Sequence, residues 1–146
     1  MKGFADSSAL VKLYVPEVDS GEVESLDTIV VSALCRVEVL SGLWRKSSAG
    51  EMDSADAELL SRMFEADLFG QLNAARSISA IPVSAQILER AASLVPIHSL
   101  RSLDAIQLAS AIFAREADPE CRTFACFDSR LAEAARQQGF QLISTS

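Results

Sequence analysis

Apolar residues fall along the chain in two alternating rhythms, short solid runs and longer stretches with a period near 3.6, and this alternation decides the expected fold class. Residues 2–5 are a short apolar run ended by Asp6, which predicts a strand, and residues 8–15 follow with helical spacing until Pro16 stops them. Residues 28–31 are a compact β-branched run, the mark of a buried strand. Ser32 then offers an N-cap to a helix reaching about Lys46, with Ala33, Val37, Leu40 and Trp44 on one face, and residues 47–50 break it. Residues 51–75 read as one or two amphipathic helices forming a surface excursion, because Leu60, Phe64 and Leu68 recur every four residues while most carboxylates lie elsewhere.

The second half repeats the alternation. Residues 78–83 are a third strand containing Pro82, and residues 84–94 a helix that ends before Pro96. Ser102 caps a long apolar helix to about Ala117; residues 123–127 form another strand, followed by Asp128 and a helix over 129–138, and residues 140–143 close the chain as a last strand. Strand and helix alternate throughout, so the expected architecture is a three-layer α/β/α fold with a mainly parallel central sheet. A chain of 146 residues suits a single domain over residues 1–146, large enough to bury roughly two-thirds of its unfolded surface. No run approaches about 18 apolar residues, and the opening residues meet charge too soon to form a secretory signal, so a cytoplasmic protein without a membrane partner is expected.

Composition narrows the chemistry. There are 20 acidic side chains beside one histidine, His98, and three cysteines, Cys35, Cys121 and Cys126. A structural zinc site needs about four Cys or His ligands at paired spacings, and the cysteines lack that pattern. A Ser-His-Asp or Cys-His mechanism would have to run through His98, which lies in the expected loop over 96–101, and no G-x-S-x-G turn supports it. We assign His98 no role, and the cysteines read as small buried hydrophobes in a reducing compartment. What remains abundant is carboxylate, a hard donor suited to magnesium or manganese.

The net charge of -7 argues against a nucleic-acid partner only if it is spread evenly. It is not. Residues 17–27 hold five acids and no base, and residues 51–67 hold six acids against Arg62 alone, so these two segments carry -10 and the rest sums to +3. The chain is 49% hydrophobic with a mean hydropathy of +0.22, which points to a covering partner or self-association.

Four carboxylates stand apart from other charges. Asp6 is the only charge between Lys2 and Lys12, Asp104 the only one between Arg101 and Arg115, and Asp128 the only one between Arg122 and Arg130. Glu38, with Arg36, interrupts an uncharged stretch over 28–43 and borders the apolar face in the second turn of its helix. Asp6 and Asp128 follow strand runs, at the C-terminal edge where parallel α/β sheets bind ligands, and Asp104 lies in the first turn of its helix. Each has a plainer reading as a helix cap, dipole partner or boundary residue. Jointly they suggest a metal pocket, because several converging carboxylates need a compensating cation.

The strings FADSSALVKLYVPE, VSALCRVEVLSGL, LRSLDAIQLASAI and TFACFDSRLAEAARQQGF, in this order, resemble the PIN-domain ribonucleases and especially the VapC-like toxins of type II toxin-antitoxin systems. The resemblance covers essentially the whole chain. It implies that Asp6, Glu38, Asp104 and Asp128 are the acidic metal-binding and catalytic quartet, with Ser7 or Ser8 the small hydroxyl residue beside the first Asp. It further implies a Mg2+-dependent endoribonuclease, with Mn2+ as a substitute, that cleaves RNA by metal-activated water. The implied partners are RNA, a small antitoxin protein and a second copy of the chain, as a homodimer or a toxin-antitoxin hetero-oligomer. Lys12, Arg101 and Arg130 become candidate phosphate contacts. Gln107 departs from the pattern, standing where many members carry His, three residues past the third acid. Alternatives are a catalytically silent metal-binding or protein-interaction module with the same fold, and a housekeeping nuclease without an antitoxin. A phosphoaspartyl phosphatase is disfavoured because position 8 is Ser, and a response-regulator receiver because the only lysines are Lys2, Lys12 and Lys46.

Overall fold

The computed structural model describes residues 1–15 and 21–143; the expected stop at Pro16 lies outside them. Strands β1 (Lys2–Ala5), β2 (Thr28–Ser32), β3 (Ile78–Ile81), β4 (Thr123–Ala125) and β5 (Gln141–Ile143) form a 5-stranded sheet in the order β3-β2-β1-β4-β5. Every pairing is parallel, with Phe4 opposite Val30 on one side and Phe124 on the other. The helices are α1 (Ser7–Tyr14), α2 (Gly21–Glu24), α3 (Cys35–Ser48), α4 (Ser54–Phe69), α5 (Ala85–His98), α6 (Ser102–Ala117) and α7 (Ser129–Gln137).

Side chains alternate across a strand, so a sheet with helices on both faces has two cores. Phe4, Val30 and Phe124 point to one face, where Ile87, Leu94, Leu108, Ile112 and Leu131 of α5, α6 and α7 cover them. Ala5, Ile29, Val31 and Ala125 point to the other, under Leu10, Leu13, Val39, Leu43 and Phe64 of α1, α3 and α4. The three expected layers are therefore present. All three cysteines are buried and unpaired.

The chain winds outward from β1 through β2 to β3, then resumes on the opposite side of β1 with β4 and β5. Adjacent strands β1 and β4 thus send their helices to opposite faces, α1 to one core and α7 to the other. A crevice opens between them at the strands' C-terminal ends, the usual ligand position in such sheets.

Several local expectations are corrected. Helix α3 begins at Cys35 with Leu34 as N-cap and no side-chain cap bond; Ser32 is still in β2, and its hydroxyl accepts the Leu34 N–H at 3.2 Å. The later start places Glu38 in the first turn, and packing against α1 and α4 buries Cys35, Val39 and Leu43. The Ala33, Val37, Leu40, Trp44 stripe is consequently not the core face: Val37 is 71% and Trp44 41% exposed. Arg101, not Ser102, is the N-cap of α6. Helix α5 continues through Pro96 to His98, because the carbonyl that the missing N–H would have met belongs to exposed Ala92, where water can serve it. The segment over 51–75 is one helix ended by Gly70 at φ 64. It is more than a surface excursion: Phe64 is fully buried with its ring 5.7 Å from that of Tyr14, and Asp67 is buried beside it.

Candidate active site

The four isolated acids all lie at the crevice edge. Asp6 follows β1 directly and is the N-cap of α1: its Oδ1 accepts the Ala9 N–H at 3.0 Å and the Ser8 hydroxyl at 2.7 Å. Asp128 stands after β4 with Cys126 and Phe127 intervening, and caps α7 by accepting the Leu131 N–H through Oδ1 at 2.9 Å. Asp104 occupies the first turn of α6. Glu38 projects from α3, where its Oε1 accepts the Ser7 hydroxyl at 3.1 Å and the Gln107 amide Nε2–H at 2.9 Å.

Charge ties the group together. Asp6 is only 5% exposed, and burial pushes its carboxyl up to about 6 against the lowering effect of the Ser8, Ala9 and Cys126 bonds, with the charge of Asp104 adding to the rise. Half-buried Asp104 is likewise held above the usual carboxylate range, first by burial and then by the charges of Asp128 and Glu38, with Arg101 and Arg130 offsetting part of the effect. Asp104 is therefore the electrostatic hub, in reach of the other three acids. Arg101 and Arg130 stand close enough to act on it, whereas Lys12 lies with its Nζ 4.5 Å over the Phe127 ring.

Ser8 spans the crevice. Its hydroxyl donates to Asp6 and accepts the Phe127 N–H at 3.1 Å, so one oxygen joins the start of α1 to the segment leading to Asp128. Ser7 does the equivalent work for Glu38.

Two further residues bear on the site. Gln107, 2% exposed, gives its amide to Glu38 while its Oε1 has no partner among the described residues. Its signal in sequence is a polar residue one helical turn past Asp104, among the apolar residues 105–109. Buried Cys126 makes 3.3 Å contacts with the Asp128 N–H and carbonyl and touches Asp6. Burial holds its thiol far above the usual range, so it acts as a neutral spacer rather than a nucleophile. His98 lies apart from the crevice, its ring nitrogens 3.1 Å from Gln137 Oε1 and 2.9 Å from Gln138 Nε2.

Among the described residues no three His, Cys, Asp or Glu side chains stand close enough to form a ready coordination cage. The donor set nonetheless fits a hard divalent ion, since it consists of carboxylate oxygens whose mutual repulsion around Asp104 a cation would relieve.

Comparison with known proteins accords with this geometry. A toxin–antitoxin complex from Klebsiella pneumoniae contains a chain of similar fold, with a TM-score of 0.56 and 18% identity over 88% of each chain. The crystal structure of PAE2754 from Pyrobaculum aerophilum is similar at a TM-score of 0.60 and 16% identity, covering 98% of this chain and 90% of that one. A search of curated proteins gave no match. The PIN domain model matches residues 4–137, a span that takes in all four acids, and the chain therefore belongs to the PIN domain family.

Proposed function

We propose that this chain is a divalent-metal-dependent endoribonuclease and the toxin of a toxin-antitoxin pair, with Asp6, Glu38, Asp104 and Asp128 as its working acids. The observation that carries the reading is the gathering of these carboxylates near half-buried Asp104, which acts on Asp6 and is itself acted on by Asp128 and Glu38, in a chain of the PIN domain family. Four acids gathered without equal cationic compensation are costly for folding alone, and a catalytic role accounts for their retention.

In this reading Asp6 and Asp104 are the firmest ligands for Mg2+ or Mn2+, and Glu38 and Asp128 complete the set. A bound divalent ion supplies two things, a lower pKa for an attacking water and neutralisation of charge on the phosphodiester. The protein does the positioning. Ser8 and the Ala9 N–H hold Asp6 in one rotamer, and Ser7 and Gln107 hold Glu38 from two sides, so neither carboxylate has to be ordered when substrate arrives. Arg101 and Arg130 sit where they can meet phosphate oxygens adjacent to the acids. No covalent intermediate is needed, in keeping with the inert buried thiols.

The antitoxin partner is supported by the similar fold found within the Klebsiella pneumoniae complex and by exposed apolar side chains, including Val37, Trp44, Met63 and Phe69, of the kind a partner covers. No helix among the described residues is long and apolar enough to cross a membrane.

The test is cleavage of a structured RNA by the full chain with and without Mg2+. Asp104→Asn should abolish divalent-dependent cleavage and relieve growth arrest on expression while leaving the fold intact by circular dichroism. Retained cleavage in that folded variant would overturn the assignment.

A further inference from the structure

Between α1 and α3 a groove runs away from the acids. It consists of two confluent clefts of about 450 and 420 Å³ that share Ser8, Val11, Gly42 and Arg45. The first starts at Ser7, Glu38 and Leu103; the second continues past Lys12 to Lys46 and Glu51. Its floor is narrow because the helices meet at Gly42, where an added Cβ would lie 3.1 Å from Val11 Cγ2.

The groove changes sign along its length. Glu38 stands at its inner end and Glu51 at its outer end, where it lies 3.6 Å from Lys46; between them come Lys12, Arg45 and Lys46. Arg45 is exposed, its Nη2 donating to Ser41 Oγ at 3.2 Å, which aligns it with the groove wall. Seven residues separate Glu38 from Arg45, about 10 Å of helix rise. Ser41 adds a hydroxyl along the same path, suited to a phosphate oxygen or a ribose 2′-OH, while the Ser7 and Ser8 protons are given to Glu38 and Asp6.

We propose that this groove is a track for the single-stranded backbone of the substrate, with Arg45, Lys12 and Lys46 taking successive phosphates on one side of the scissile bond. It rests on the nuclease reading and adds where the strand lies. The physical need is plain. Four carboxylates repel every phosphate near them, so a strand seated on the acids leaves along a path that supplies cations within a few nucleotides, and this groove opens at Glu38, one of the four. Affinity along it is electrostatic and sequence-tolerant.

The experiment measures binding of a labelled 12-nucleotide single-stranded RNA to the full chain in EDTA by fluorescence anisotropy across a salt series. Loss of one phosphate contact lowers the slope of log K against log salt by about 0.7 for a single strand, so Lys12→Ala/Arg45→Ala/Lys46→Ala should lower it by about 2. Arg62→Ala/Arg90→Ala/Arg136→Ala, which removes three exposed cations elsewhere, should leave it within about 0.5 of the wild type. Arg45→Ala alone, at an exposed position, should lower it by about 0.7 and keeps the proposal testable if the triple variant misfolds. In Mg2+, the groove variants should raise KM for the 12-mer and largely keep kcat. Equal slopes in the groove and control variants would overturn the track, and so would variants that lose affinity for polyglutamate but not RNA, which would assign the groove to an acidic protein segment. If Asp104→Asn abolishes cleavage in the same series, the nuclease reading survives that failure; if the wild type neither binds nor cleaves RNA, the nuclease reading fails instead.

Discussion

Replacing Asp6 by asparagine separates the two tasks its side chain performs. Asparagine ranks with aspartate as an N-cap, so its carbonyl oxygen can still accept the Ala9 N–H and the Ser8 hydroxyl. What disappears is the buried charge. The carboxyl ionises near 6 in the folded chain instead of at its ordinary 3.8, so the folded state holds the proton more tightly than the unfolded state does. About 2 pK units at 1.36 kcal/mol each give roughly 3 kcal/mol of destabilisation, complete above about pH 6 and absent below about pH 4. The wild type should therefore lose stability through this group as pH climbs from about 4 to 6. In metal-free buffer at pH 7.5, Asp6→Asn should be more stable than the wild type by up to about 3 kcal/mol, or roughly 6–12 °C in Tm, and equal to it near pH 4. Asp6→Ala removes the charge and the cap together, and losing the cap costs about 1 kcal/mol, so it should fall between them. Urea unfolding followed by circular dichroism at pH 4 and 7.5 measures all three. Both variants should be inactive toward RNA. An Asp6→Asn protein no more stable than the wild type at pH 7.5, or a difference that ignores pH, would refute the idea that the site stores this cost.

Two further outcomes follow from the buried polar contacts. Gln107→Leu removes a charge-assisted bond worth about 1.5–3 kcal/mol, but it also removes an unpartnered buried carbonyl costing about 1–3 kcal/mol, so the two largely offset and global stability should change by no more than about 2 kcal/mol. The same change leaves Glu38 held by Ser7 alone and should raise the Mn2+ concentration for half-saturation in a calorimetric titration; an unchanged midpoint would count against a positioning role for Gln107. Tyr14→Phe deletes the 2.5 Å hydroxyl bond to buried Asp67, whose other oxygen accepts the Ala75 and Arg76 N–H groups at 2.8 and 3.1 Å. It should cost about 1–3 kcal/mol in urea unfolding and speed hydrogen exchange at Ala75 and Arg76.

Strand positions were the most legible part of the fold, because solid β-branched runs such as residues 28–31 have one reading in an alternating α/β pattern. Helix faces were less so. In α3, Val37 and Trp44 look like core by composition, yet the buried face is Cys35, Val39 and Leu43, since small and medium side chains fit the approach to α1 and α4. Pro96 misleads for a similar reason: its cost in a helix depends on whether the freed carbonyl reaches water, which is a property of the surface and not of the sequence. Isolation from other charges drew attention to the four acids, and the structure sets them at one edge. It gave no notice of Gln107 as a partner for Glu38, because a polar residue on an apolar helix does not say what it faces.

The plain and the functional readings of these acids turn out not to compete. Asp6 and Asp128 are N-caps in full, each accepting a main-chain N–H through Oδ1. A cap bond fixes the carboxylate's rotamer and points its second oxygen in one direction, so a helix start at the end of a strand is already a rigid mount for an oxygen ligand. Because β1 and β4 are neighbours whose helices leave toward opposite faces, two such mounts stand at the ends of adjacent strands, and Ser8 ties them by bonding to Asp6 and to the Phe127 N–H just before Asp128. Glu38 lies outside this arrangement. It projects from within α3 and has no cap bond to orient it, so both of its donors, Ser7 and Gln107, are side chains from two other helices, whereas Asp6 has the Ala9 N–H beside the Ser8 hydroxyl. Glu38 thus owes its orientation to residues far from it in sequence, and a substitution at Gln107 can disturb it without touching either cap.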